Sequence, residues 1–271
     1  AFALGASLGL AGGILSAFAL SERLYPAFLI GMLWLGMAQG FGLFYRHAGA
    51  MIGRAGGLVF GAGALGALLA PIFIGALSEK FGPLASSAIL MTSGIAHLIT
   101  LALAIGLPSR RIEITSSSSL VKRPSMWMFA MATVIASLAW LGMNGLMAHS
   151  PLAMTGCCLG LSLSALAMAA HLSAMYWPGF TIGHVLKHIG GTITSLIGLF
   201  LLTFGGIGVL FQNEVLGFTL CLIVAGYGWG MATIGATAML HKAGQPSVVM
   251  LASHDVILFI AALTGVAMFG R

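Results

Sequence analysis

The feature that most constrains the fold of this chain is a succession of long apolar segments that carry few charges. We count nine of them, at about 1–20, 27–45, 51–77, 84–107, 126–149, 157–177, 191–211, 215–240 and 248–269. Their lengths are near the roughly 20 residues that a helix needs to cross the hydrocarbon core of a bilayer. The segments also lack the alternating polarity of barrel strands. The sequence therefore predicts an all-α polytopic membrane protein with nine spans.

Composition and charge support this class. Only 6% of the residues are charged, against about 25% in soluble domains. We attribute the net charge of +6 to topology rather than to nucleic-acid binding, because basic residues collect on the cytoplasmic side of membrane proteins. With Ala1 in the cytoplasm, eight basic residues fall on that side and three outside, so we predict this orientation. The eight are Arg46, Arg54, Arg110, Arg111, Lys122, Arg123, Lys187 and Lys242, and the three are Arg23, Lys80 and Arg271.

One connection differs from the others in being long and polar. Residues 108–125, PSRRIEITSSSSLVKRPS, combine prolines, a four-serine run and four basic residues, which is typical of a solvated linker. We predict a cytoplasmic linker here. It would separate a partial N-terminal bundle of four helices, at 1–107, from a partial C-terminal bundle of five, at 126–271. Two bundles around a central loop are common among transporters.

Two pairs of potential metal ligands, with thioether or imidazole side chains, are each spaced by about one helical turn. Met143 and Met147 form one pair, and His171 and Met175 form the other, so each pair shares a helix face. Thioether and imidazole groups suit copper, Cu(I) above all. Counted from the ends of the predicted segments, the pairs lie at different heights, which predicts two successive stations. The alternative is ordinary packing, since methionine fills gaps in apolar cores, and His47 shows a similar spacing in a predicted connection.

Other residues admit more than one interpretation. Four tryptophans would line a cavity for a flat organic solute, or lie at membrane interfaces and helix contacts; they are Trp34, Trp140, Trp177 and Trp229. We interpret Asp255 as stabilising the start of the last helix through its dipole rather than as a proton-coupling group. His97 would serve as a relay or as a helix contact. Glycines such as Gly198 and Gly205 indicate close helix packing or a moving helix.

Several longer motifs resemble the major facilitator superfamily of transporters. They are YRHAGA at 45–50, SPLAM at 150–154, HLSAMYWPGFTIG at 171–183 and GYGWGMATIGATAML at 226–240. The turn GHVLKHIG at 183–190 is similar to the second copy of the signature loop of that superfamily, with Lys187 and His188 in place of its usual Asp and Arg. The resemblance implies a two-bundle fold in a bacterial inner membrane, of which the nine segments are helices 3–11 of twelve.

Within that superfamily, the methionine and histidine pairs resemble the copper importers that supply cbb3-type cytochrome oxidase assembly. This resemblance implies copper import by alternating access, with Met143 and Met147 as the outer metal ligands and His171 and Met175 as the inner ones. Two alternatives stay open: a transporter of a small organic solute such as a vitamin, and a non-transporting subunit packed in a larger membrane complex. We find no nucleophile–base set and no phosphate loop. We therefore expect that the protein is not an enzyme and has no cofactor, because copper would be the transported ion. Its expected partners are the lipid bilayer and the substrate.

Overall fold

In the computed structural model, the described residues are 2–50, 54–106, 125–242, 244 and 246–270, and nearly all of them are α-helical. No strand occurs within these ranges. A short 3-10 turn, Gly82–Leu84, joins the third helix to the fourth. The α-helices are α1 Phe2–Ser21, α2 Tyr25–Ala50, α3 Arg54–Phe81, α4 Ala85–Gly106, α5 Met126–Gly156, α6 Leu161–Tyr176, α7 Pro178–Val209, α8 Val215–Lys242 and α9 Val248–Phe269.

Six stretches of the described chain are long and apolar enough to cross a membrane. Two of them, Phe60–Gly106 and Leu163–Val209, are 47 residues long and each contains parts of two successive helices. The class of helical, multi-pass membrane protein is therefore confirmed at this coarser level. The count of nine separate spans and the two-bundle superfamily fold stay predictions.

Helix α5 is longer than the predicted segment, which ended at residue 149. It continues through Pro151 to Gly156, although proline costs a helix one backbone hydrogen bond. The turn that follows contains Cys158, whose φ of 59° ends the helix. Within α5, the side chains of Ser150 and Thr155 bond back to carbonyls four residues earlier. Residues 150–156, which fall between two of the predicted segments, are thus helical.

A second difference concerns the predicted connection after residue 177. Trp177 joins α6 to α7 with helical torsions, φ −54° and ψ −36°, and Pro178 takes the first position of α7. Proline is tolerated there because that position needs no backbone donor. The break comes instead at Gly190, with φ 76° and ψ 167°, a conformation that favours glycine. The motif read as a basic turn is therefore helical up to Ile189.

The described chain forms two compact units. The first comprises Ala1–Tyr45 and Ile72–Ser117, and the second comprises Arg46–Pro71 and Ser118–Arg271. The predicted division into an N-terminal bundle, a linker and a C-terminal bundle stays a prediction. The predicted N-terminal bundle includes residues 46–71, whereas in the structure these residues group with the second unit.

In the first unit, α1 packs against α4 through small residues. A Cβ atom placed on Gly13 would lie 2.6 Å from the backbone nitrogen of Gly94, so the two backbones are close together. One turn earlier, the His97 ring lies directly against Gly9. Of the two interpretations of His97, a relay or a helix contact, the contact of its ring with Gly9 of α1 agrees with the second.

In the second unit, α8 is the central helix. It packs against α5, α6 and α7, and α9 packs on α5. Gly205 of α7 lies so close to α8 that a Cβ atom would come within 2.6 Å of the Cys221 carbonyl oxygen, and Gly198 makes a similar approach to Gly228. The close-packing interpretation of these glycines is confirmed, because only the absence of side chains permits such backbone distances.

Candidate functional site

Five aromatic side chains from five helices meet in the second unit; we name them the aromatic cluster. Its centre is Trp229 on α8, whose ring centroid lies 5.8 Å from that of Trp140, 6.1 Å from that of Phe60 and 6.2 Å from that of Tyr176. Phe259 of α9 lies 6.0 Å from Trp140 in an edge-on orientation. These separations are in the range at which aromatic pairs attract one another.

Two buried polar atoms of α8, one in the cluster and one a turn beyond it, have no partner within the described residues. The Trp229 side chain is 5% exposed, yet its indole Nε1 has no hydrogen-bond acceptor in the described chain. Thr233, one turn further along α8, is 2% exposed, and its hydroxyl is likewise without a partner there. Buried polar groups are normally satisfied. Two such groups on one face of α8 indicate a place where a polar ligand edge would bind.

The structure brings together two of the four tryptophans that the sequence singled out, Trp140 and Trp229. Trp177 is about half exposed and pairs with Phe180 instead, and Trp34 belongs to the first unit. Sequence analysis missed the other three members of the cluster, Phe60, Tyr176 and Phe259. They come from helices far apart in the chain, so no spacing pattern reveals them.

Of the predicted metal ligands, His171 and Met175 lie together against α8. His171 is fully buried, and its Nδ1 lies 2.6 Å from the Leu222 carbonyl oxygen. A Cβ atom on Gly226 would be 3.1 Å from that Nδ1 and 3.3 Å from the Met175 Cγ. The other imidazole nitrogen, Nε2, is buried with no partner among the described residues. It is the nitrogen that remains available to a ligand.

The other two predicted ligands are on α5, where Met143 is 1% exposed and Met147 is half-buried. Because α5 extends to Gly156, Met147 lies about 14 Å from that end at 1.5 Å per residue, and His171 lies about 15 Å from the start of α6. The heights counted from the segment ends therefore change, and the two successive stations stay a prediction. The described residues contain no group of three or more His, Cys, Asp or Glu side chains suited to a metal. The set of four ligands stays a prediction.

The acidic residue Asp255 does not stabilise the start of α9. The helix begins at Val248 with Ser247 as its N-cap, whose hydroxyl accepts a hydrogen bond from the Met250 backbone, and Asp255, seven residues after Val248, is therefore about two turns inside. The helix dipole acts within the first turn, so the dipole interpretation is wrong. Asp255 is buried beside His254, whose Nδ1 lies 2.9 Å from the Thr133 hydroxyl of α5.

A cleft of about 390 Å³ opens where α7 is broken. It is lined by Gly190 and its neighbours, by Met128 of α5 and by Met239 and Lys242 near the end of α8. Met239 is ten residues beyond Trp229, or about 15 Å along the helix. The cleft is thus separate from the aromatic cluster.

Comparison with known proteins places the chain beside transporters. It is 25% identical over 261 residues to the riboflavin transporter RfnT of Brucella anthropi, a match that covers 91% of this chain and 65% of that protein. It is 29% identical over 141 residues to YddS of Bacillus subtilis, described as an uncharacterized MFS-type transporter, a match that covers 51% of this chain and 32% of that protein. The chain thus spans less than two thirds of either relative. No family model matches it.

Proposed function

We propose that this chain forms part of a secondary transporter of the major facilitator type that moves a flat organic solute across the bilayer by alternating access. Its similarity to RfnT and to YddS supports the transporter class. The all-helical, apolar architecture fits the same class. In this proposal the protein is not an enzyme, and it lies in a bacterial inner membrane with Ala1 on the cytoplasmic side.

The choice of solute is based on the aromatic cluster. A planar ring system stacks favourably on indole, phenol and phenyl faces, and the Trp229 N–H would donate to a carbonyl or ring nitrogen at the edge of the solute. The Thr233 hydroxyl offers a second donor or acceptor on the same face of α8. This combination favours a heteroaromatic compound with acceptors at its edge, such as a vitamin. Riboflavin is the first compound to test, because RfnT is named for it.

To test this, the purified protein is titrated with riboflavin, and binding is measured by the quenching of the flavin fluorescence. Replacing Trp140 with Leu keeps the position apolar and removes one stacking face. We expect this change to weaken binding by about 5- to 150-fold, since base–aromatic stacking is worth about 1–3 kcal/mol. The matched control is Trp127→Leu, which removes a tryptophan that is 74% exposed and outside the cluster. Equal binding by both variants would contradict the assignment of the solute to the cluster.

Copper import is the second candidate, and the observation in its favour is the buried Nε2 of His171 with Met175 one turn away. Neither relative's name mentions a metal, and the four ligands rest on their spacing and on the resemblance to copper importers. The test is copper content of the purified protein under reducing conditions. A stoichiometry near one that is lost in Met143→Leu would favour copper over the organic solute. The third alternative, a non-transporting subunit, is not supported by the comparisons, because both relatives are named as transporters.

A further inference from the structure

The first half of α7 carries two histidines with their side chains in contact. His184 and His188 are four residues apart in a regular helix, and both are exposed. Their Nε2 atoms are 3.1 Å apart, and their ring centroids are 4.5 Å apart. This contact is a hydrogen bond in which one imidazole donates to the other, so the two Nε2 atoms face each other on one side of the helix. Neither residue belongs to the aromatic cluster or to the predicted copper ligands.

The separation of the two nitrogens matches that of neighbouring ligands on one metal ion. Metal–imidazole bonds are about 2.0–2.1 Å long, so nitrogens 3.1 Å apart correspond to a nitrogen–metal–nitrogen angle of roughly 95–100°. That angle lies between the roughly 90° of square-planar or octahedral complexes and the roughly 109° of tetrahedral ones. Histidines at i and i+4 on a helix face bind zinc in this manner in metalloproteases.

The surroundings define what kind of ion this pair would hold. Both ligands are imidazole nitrogens, which suit Zn²⁺, Ni²⁺ and Cu²⁺ and not Mg²⁺ or Ca²⁺. Both rings are exposed and lie in the stretch 178–190 between two of the predicted spans, where water would complete the coordination. The neighbouring Lys187 is also exposed and adds no ligand while it is charged. The site is thus a two-point chelate at the surface, distinct from a buried cage.

We propose that His184 and His188 form a binding site for one divalent transition-metal ion of the Zn²⁺, Ni²⁺ and Cu²⁺ group. The bound ion cross-links adjacent turns of α7 immediately before its break at Gly190. Metal binding therefore stabilises the last turn of that helix half, since a ligand that binds the folded state alone stabilises it. The assignment depends on neither the transported solute nor the direction of transport.

The test uses the purified protein with a tag that contains no histidine, stripped of metal and titrated with Cu²⁺ in detergent. We expect one ion per chain and an electron paramagnetic resonance spectrum with hyperfine coupling from two nitrogens. In His184→Gln or His188→Gln, affinity falls by more than about tenfold, because loss of even an outer-shell partner of a metal ligand costs about 10–100-fold. The spectrum then shows one nitrogen from the pair.

The control is His149→Gln, which removes a half-buried histidine of α5 outside the pair. Its copper affinity and spectrum should equal those of the unaltered protein. A second readout is the temperature of unfolding, which Zn²⁺ should raise in the unaltered protein and in the control, but not in the His184→Gln, His188→Gln double variant. Absence of saturable binding, or equal affinity in the double variant and the control, would overturn the proposal.

Discussion

The Nδ1 atom of His171 lies 2.6 Å from the carbonyl oxygen of Leu222 and joins α6 to α8 at a fully buried position. A carbonyl oxygen can only accept, so Nδ1 carries the proton and donates it. In the neutral ring the other nitrogen, Nε2, then has a free lone pair. One side chain thus provides a structural hydrogen bond and an unused acceptor.

These two roles of His171 can be separated by substitution. In His171→Asn the amide nitrogen takes the place of Nδ1 and can still donate to Leu222, whereas His171→Leu removes both functions. We expect His171→Asn to unfold at nearly the unaltered temperature in detergent, and His171→Leu to lose about 1 kcal/mol with the hydrogen bond. If ligand binding needs Nε2, both variants lose it. Retained binding in His171→Asn would mean that this histidine is structural.

Trp229 offers a test of hydrogen bonding apart from stacking. Trp229→Phe keeps an aromatic face in the cluster and removes the indole N–H. We expect riboflavin binding to weaken by about 3–10-fold, equivalent to a typical net hydrogen bond of about 0.5–1.5 kcal/mol, while the bound flavin remains quenched by Trp140. An analogue without edge acceptors should bind both proteins equally. If it loses affinity to the same extent as riboflavin, the N–H is not a contact of the solute.

The interface between α7 and α8 predicts opposite effects for two glycines of the same helix. A Cβ atom on Gly198 would lie 2.5 Å from the Gly228 carbonyl oxygen, whereas one on Gly206 would have no atom within 4 Å. Gly198→Ala should therefore destabilise the protein by about 1–3 kcal/mol, as overpacking does. Gly206→Ala should leave the unfolding temperature unchanged or raise it. Thermal unfolding in detergent measures both, and equal effects would refute the packing argument.

The hydrogen bond between His254 and Thr133 joins α9 to α5. Thr133→Val preserves the shape of the side chain and removes this bond, so we expect a loss of about 1 kcal/mol in the free energy of unfolding. The control is Thr203→Val, because Thr203 is exposed and bonds only to a carbonyl of its own helix in the described structure. A stability change no larger than that of the control would show that the bond contributes nothing.

The predicted topology can be tested with a cysteine of the chain itself. Cys158 is free and exposed in the turn between α5 and α6, which the predicted orientation places outside the cytoplasm. A membrane-impermeant maleimide should label it in intact cells in which the outer membrane is permeable. A cysteine introduced at Ser117, in the predicted linker, should react only after the inner membrane is opened. The reverse pattern would invert the orientation of Ala1.

The sequence by itself determined the class of the protein and the order of its elements. Apolar runs of membrane-spanning length and the scarcity of charge were sufficient, because a backbone in lipid must satisfy its own hydrogen bonds and therefore forms helices. Close packing was one of the two interpretations of glycines such as Gly198, but the sequence did not indicate that α8 is the helix they approach. The boundaries were less accurate. The segments predicted to end at residues 149 and 177 are followed by helix, because Pro151 lies inside α5 and Pro178 begins α7.

Only the tertiary structure decided which side chains meet. Phe60, Tyr176 and Phe259 reach Trp229 and Trp140 from different helices, and contacts between distant segments leave no periodic trace in the sequence. The wrong dipole assignment of Asp255 has another cause, because the helix start at residue 248 is the same in the sequence prediction and in the structure and lies about two turns away. The His184 and His188 pair was visible in the sequence, but it was read as a turn. Its common face exists because the helix continues to Ile189.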